Sequence, residues 1–173
     1  MFARSFPRYD ETSAPEPARA ALARAKQLHG RIPEPLTRYA AAPAVLAAAL
    51  NGLSQLERGT LLPLEREVLA MTMGRLNGCR FCVNLHRRLL QAQRAPASLI
   101  DALESGSPLA EPRLEALRRF IVATVETHGD VPSEVWSDFL AAGFDHAQAL
   151  EVVLGVSVYT LTTLANRLTL TSE

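Results

Sequence analysis

The chain has 173 residues, 48% of them hydrophobic, with 18 basic side chains set against 18 acidic ones for a formal net charge of zero. That length suits one domain with a core of its own, and the charge balance removes any electrostatic case for nucleic acid as a partner. The opening MFARSFPRYDETSAPEP contains no apolar signal-type run, so a cytoplasmic protein is expected.

Residues 1–15 are polar and proline-punctuated, without periodicity, and are expected to be an arm that is disordered or wraps a neighbour. Residues 16–173 are expected to form one helical domain. Pro17 opens the alanine-rich PARAALARAKQLHG, which Gly30 can close as a helix C-cap. The stretch from Arg31 to Pro43 holds three prolines and reads as a connection with one turn of helix. From Ala44 to Arg58, Val45, Leu46, Leu50, Leu53 and Leu56 recur at three- and four-residue steps, which predicts an amphipathic helix ending at Gly59-Thr60.

Pro63 suits the first turn of the next helix, with Glu65 and Glu67 near its positive end; Glu65 reads as a solvated neighbour. After an Asn77-Gly78 turn, a helix to about Gln93 offers Val83, Leu85, Leu89 and Leu90 for packing and points Arg87 and Arg88 outward. Pro96 starts a short helix to Glu104, and Gly106-Ser107-Pro108 breaks the chain. A longer helix from Glu111 to His128 carries Leu114, Leu117, Phe120, Ile121 and Val125, followed by Gly129. Pro132 begins a segment with Val135, Trp136, Phe139 and Leu140, stopped by Gly143.

Asp145 and Gln148 have the spacing of a capping box for a last helix to about Leu168. Its apolar run, Val152 to Ala165, reads as too short and too polar to span a bilayer, so it is expected at the bundle centre or in a subunit interface. No segment alternates with period two. The fold class expected is therefore all-α, a single-domain bundle of about seven or eight helices without a sheet.

The chain has two cysteines, Cys79 and Cys82. A pair three apart closes almost no loop and makes a poor structural staple; the spacing reads as redox or metal chemistry in a reducing compartment. On a helix, Cys79, Cys82 and His86 share one face. In a first helical turn, unpaired N–H groups and the macrodipole lower a thiol pKa from its usual value of about 8.5. His86 can take or share the thiol proton, and Glu67 can orient the imidazole directly or through water. Two alternatives stand beside a reactive dithiol: an inert buried pair, and zinc held by Cys79, Cys82 and His86, for which no fourth ligand is evident. His29, His128 and His146 have no cysteine or carboxylate in register, and Trp136 and Tyr159 read as core residues.

Glu67, twelve residues before Cys79-x-x-Cys82-x-x-x-His86, resembles the alkyl hydroperoxidase D type of the carboxymuconolactone decarboxylase-like superfamily. The surrounding LEREVLAMTMGRLNGCRFCVNLH, the later AAGFDHAQALEVV and the near-terminal Asn166-Arg167 carry the same likeness over roughly residues 40–170. The resemblance implies a helical protein that assembles as a trimer or hexamer and reduces hydroperoxides through a dithiol/disulfide cycle. It implies Cys82 as the peroxide-attacking cysteine, Cys79 as the resolving one, and Glu67 and His86 as the proton-relay pair. Asn166 matches a polar position in the family pattern and is expected to make a structural or interface hydrogen bond rather than to take a catalytic role.

The chain departs from the family pattern at Phe81, where the best-studied members have a further relay histidine, and at Leu62, where Ser or Thr usually caps the helix. The function implied is a thiol-dependent peroxidase of antioxidant defence, with no bound cofactor or metal. Its partners would be a small hydroperoxide and an external dithiol, a lipoylated protein being the family's candidate, without nucleic acid or membrane. The alternatives are a general thiol-disulfide oxidoreductase and a metal-binding or redox-sensing module.

Overall fold

The computed structural model describes residues 6–170, which contain nine α-helices and no strand. They are α1 (Glu16–His29), α2 (Glu34–Tyr39), α3 (Pro43–Glu57), α4 (Pro63–Leu76), α5 (Arg80–Ala92), α6 (Ala97–Ser105), α7 (Pro112–Glu126), α8 (Ser133–Ala141) and α9 (His146–Thr169). The all-α class stands, with one helix beyond the expected range. The addition is α2, in the proline-rich connection. There Pro33 is the N-cap, Pro35 lies in the first turn, and Pro43 starts α3, so each proline occupies a position where its missing N–H costs nothing.

The described part of the expected arm, residues 6–15, lies on its own chain; residues 1–5 fall outside the described residues. Tyr9 N donates to the Thr37 carbonyl at 2.9 Å, Arg38 Nη1 to that of Phe6 at 2.5 Å, and Ala14 is buried beneath α1. Asp10 folds this stretch locally: its Oδ1 accepts from Thr12 and Ser13, through both backbone and hydroxyl. The Thr12 hydroxyl, first among those donors, holds the Asp10 carboxyl well below its ordinary range.

Two apolar clusters hold the bundle. The larger brings together Leu69, Met73, Leu117, Ile121, Phe139 and Val152 from α4, α7, α8 and α9. The smaller joins Ala14, Leu22, Tyr39, Leu46 and Ala49, with Leu161 and Ala165 of α9 against it. Helix α9 thus spans both cores and packs on α2, α3, α4, α5 and α7. It crosses α4 closely enough that a Cβ at Gly155 would overlap the buried Leu69 side chain. Its Glu151 carboxylate accepts the backbone N–H groups of Thr60 and Leu61, closing the turn between α3 and α4. The predicted capping box opens it: Gln148 N donates to Asp145 Oδ1 at 2.8 Å and Asp145 N to Gln148 Oε1 at 3.2 Å.

At 24 residues, with a window of mean hydropathy 1.3, α9 meets the length and composition of a membrane span, a test that the core helix of a bundle also passes. The helix is longer than the apolar run Val152 to Ala165 because Asp145 starts it before, and Asn166-Arg167 continue it beyond, the uncharged stretch.

Helix α5 also differs from expectation. Leu90 is buried and Val83 partly so, but Phe81, Leu85 and Leu89 are exposed, a stripe at four-residue steps facing away from the core. Periodicity marks an apolar face without saying what covers it.

Candidate active site

The site forms where α4 turns back into α5 against the end of α9. Helix α4 stops at Leu76, and the turn needs Gly78 at φ +63°, a left-handed conformation that glycine adopts without a Cβ penalty. Cys79 N then bonds to the Gly74 carbonyl at 2.8 Å, and Cys79 is the N-cap of α5. This residue does what a Ser or Asp cap would do. Its Sγ accepts from Cys82 N at 3.3 Å, inside the ring that the CxxC spacing closes. Cys79 and Cys82 are joined as a disulfide, the two residues only 2% and 5% exposed.

One turn below Cys82, His86 Nδ1 lies 2.8 Å from Glu67 Oε2, with both side chains largely buried. An ionised carboxylate only accepts, so Nδ1 carries the proton and Nε2 is the basic nitrogen. Tyr159 presents its ring edge-on to the imidazole, centroids 5.7 Å apart. Burial, reinforced by the Glu67 charge, pushes the Tyr159 phenol far above its ordinary pKa and keeps it neutral. The structure pairs Cys79 with Cys82 and Glu67 with His86, and α5 carries both Cys82 and His86.

Asn166, expected to make a structural or interface hydrogen bond, makes one to a site sulfur, and Tyr39 escaped the sequence reading altogether. Asn166, buried near the end of α9, donates through Nδ2 to Cys82 Sγ at 3.3 Å. The buried phenol of Tyr39, from α2, faces Asn166 Oδ1 at 2.6 Å and the Thr162 carbonyl at 2.9 Å. The near-terminal Asn166-Arg167 carried the only signal for the first; nothing local marks Tyr39. Alongside them α9 holds the turn before Cys79: Asn77 Nδ2 donates to Thr163 Oγ1 at 2.8 Å, and Arg167 Nη1 to the Asn77 carbonyl at 2.9 Å.

Glu65 requires a correction. It is not a solvated neighbour but 1% exposed. Its Oε2 accepts from Leu62 N at 2.8 Å, supplying half of a capping box that leucine cannot complete, and its Oε1 accepts from Arg113 Nε at 2.7 Å. The two positions on α4 face opposite ways because two residues turn a helix through about 200°.

A shallow cavity of about 260 Å³ adjoins the disulfide, lined by Gly74, Arg75, Cys79, Arg80 and Val83 among others. Cys79 is the sulfur on its wall. Among the described residues no group of three or more His, Cys, Asp or Glu side chains is arranged to hold a metal ion.

Residues 39–123 match the profile described as the carboxymuconolactone decarboxylase family. Curated proteins gave no match by sequence. Among solved structures, the chain is similar to an uncharacterized peroxidase-related protein from Ralstonia eutropha JMP134, described as an alkylhydroperoxidase AhpD core. The identity is 18% and the TM-score 0.81, over 94% of this chain and 87% of that one. A peroxidase-related protein from Silicibacter sp. TM1040 superposes with TM-score 0.70 at 19% identity, covering 89% of this chain and 81% of that one. A protein of unknown function from Agrobacterium tumefaciens, named as a candidate antioxidant defence protein AhpD, gives 0.62 at 16%, covering 74% and 88%. At these identities the likeness is one of fold.

Proposed function

We propose that the chain, whose residues 39–123 match the carboxymuconolactone decarboxylase family, is an AhpD-like thiol-dependent peroxidase that reduces alkyl hydroperoxides through Cys79 and Cys82. The observation that carries the reading is a redox-capable cysteine pair at the N-terminus of α5 with a carboxylate-bonded histidine four residues beyond Cys82 on the same helix.

In the reduced enzyme Cys82 thiolate attacks the O–O bond, the sulfur becomes a sulfenic acid and the alcohol leaves with one proton. His86 supplies that proton after taking it from the thiol, while Glu67 keeps Nδ1 protonated and Nε2 basic. Cys79 then condenses with the sulfenic acid, expelling water and closing the disulfide. An external dithiol donates two electrons and two protons to reopen it, and is itself oxidised to a disulfide. The cavity beside Cys79 supports attack of that dithiol on the Cys79 sulfur.

The same proposal places the enzyme in the cytoplasm as a homotrimer or homohexamer without a bound cofactor. The exposed stripe Phe81, Leu85 and Leu89, with Leu150, Val153, Leu164 and Leu168 on α9, supports assembly.

The test is thiol loss in prereduced protein after cumene hydroperoxide. Wild type should lose two thiols rapidly, Cys79→Ser should stop at a sulfenic acid, and Cys82→Ser should be inert. Retention of both thiols by the wild-type protein would sink the peroxidase.

A further inference from the structure

The proton relay of Glu67 and His86 serves the thiol proton, but neither residue explains which of two adjacent sulfurs holds the charge. Cys79 Sγ accepts only a backbone N–H of its own helix turn. Cys82 Sγ meets the side chain of Asn166, 84 residues away, reaching in from α9. A disulfide sulfur carries no proton, so only the NH2 face of the amide can bond to it. The opposite face, Oδ1, is occupied by the Tyr39 hydroxyl at 2.6 Å. Tyr39 and Asn166 therefore form a chain of donors from α2 through α9 that ends on Cys82 Sγ as acceptor, the Tyr39 hydroxyl lying nearer Asn166 Oδ1 at 2.6 Å than the Thr162 carbonyl at 2.9 Å.

We propose that Asn166, oriented by Tyr39, is the hydrogen-bond donor that stabilises the thiolate on Cys82, making Cys82 the sulfur that leaves on reduction and attacks on oxidation. The assignment rests on the peroxidase reading for its chemistry, though not for its test. When an external dithiol attacks Cys79, the electron pair of the broken S–S bond goes to Cys82 Sγ. The amide N–H is already aimed at that charge, so no reorganisation is needed as it develops. Asn166 touches a reacting atom. Tyr39 acts through it as a positioning residue, and burial keeps its phenol protonated far above the ordinary tyrosine range, so it stays a donor at any working pH.

The experiment is the pH profile of iodoacetamide alkylation of Cys82 in a Cys79→Ser background, a reaction that needs no peroxide. A hydrogen bond to a charged group is worth enough to move a pKa by about one unit. Asn166→Ala should therefore shift the midpoint up by about one pH unit. Tyr39→Phe, which removes only the hydroxyl, should shift it the same way by less. The double variant should match Asn166→Ala alone, because Tyr39 acts only through the amide. Glu67 from α4, His86 and Arg80 from the start and first turns of α5, Arg75 and Tyr159 stay in place in all variants, so differences among them isolate the donor chain. Circular dichroism identifies variants that have lost the fold, and Tyr39→Phe remains informative if Asn166→Ala does not fold. Unchanged midpoints in the folded variants, or a Tyr39→Phe shift that adds fully to that of Asn166→Ala, would overturn the proposal. A protein inert to cumene hydroperoxide with these shifts intact would refute the peroxidase and leave the donor chain standing.

Discussion

Glu65 and Glu67 lie two residues apart on one helix, yet one belongs to the framework and the other to the chemistry. Glu65 faces α7 and has every oxygen committed: Leu62 N–H on one, Arg113 Nε on the other. Arg113 is itself fixed, with Nη1 on the Ala142 carbonyl at 2.8 Å and the guanidinium 3.8 Å above the Phe144 ring. Glu67 faces α5 and makes one bond, to a ring nitrogen whose partner nitrogen can gain or lose a proton. A carboxylate bound to permanent donors holds structure, whereas one bound to a titratable ring can assist a proton transfer. The partner across the interface decides the role, because residue type and helix position are nearly the same for both.

The largest expected effect lies on the Glu67 side. General acid–base groups contribute about 10²- to 10⁴-fold, so His86→Ala should slow cumene hydroperoxide-driven thiol loss by about a hundredfold or more. Glu67→Gln should slow it less, since the imidazole keeps its place but loses the charge that fixes its tautomer. Stopped-flow thiol kinetics read both rates, and urea melts should show the fold retained. A rate loss in step with the fraction unfolded would erase the distinction between the two carboxylates.

The converse applies at Glu65. Breaking a buried ion pair from one side leaves an uncompensated charge, with a typical cost of 3–5 kcal/mol. Because Arg113 is 31% exposed and water can screen what it leaves behind, Arg113→Met should cost roughly 3 kcal/mol, the lower end of that range. The urea midpoint should fall accordingly, while the rate per folded molecule stays at the wild-type value. A slower peroxide step in the folded fraction would mean that the two faces of α4 communicate.

What the sequence made legible follows the same division between local and remote. Gly30 as a C-cap and the Asp145–Gln148 box are set within a few residues, and the folded chain has both; Cys82 and His86 share α5, while Cys79 stands just before it as the N-cap. Glu67 was singled out by the family resemblance, whose twelve-residue spacing to Cys79 falls within one helical hairpin. Burial of Glu65 depends on Arg113, 48 residues on, and Asn166 reaches its sulfur across 84. No local spacing encodes either pairing. The exposed Leu85 and Leu89 show the limit from the other side: α5 has an apolar face by period, but the bundle covers only the Val83 and Leu90 edge of it.

The smallest effect sharpens the comparison by adding to the framework instead of breaking it. Leu62 occupies the N-cap of α4 at φ −63°, ψ 155°, the extended conformation that a capping serine adopts, and its side chain is exposed. Glu65 already returns a bond to the Leu62 N–H. Leu62→Ser would supply the missing oxygen for the N–H of Glu65 and complete the box without disturbing any buried contact. A capping oxygen is worth about 1 kcal/mol, so the variant should be more stable by that order in urea. Its peroxide kinetics should be unchanged, because the cap tightens the turn that holds Glu65 and leaves Glu67 on the far face. Stabilisation accompanied by slower thiol loss would show that Glu67 depends on slack in the first turn of α4, and its assignment to a face independent of Glu65 would then fail.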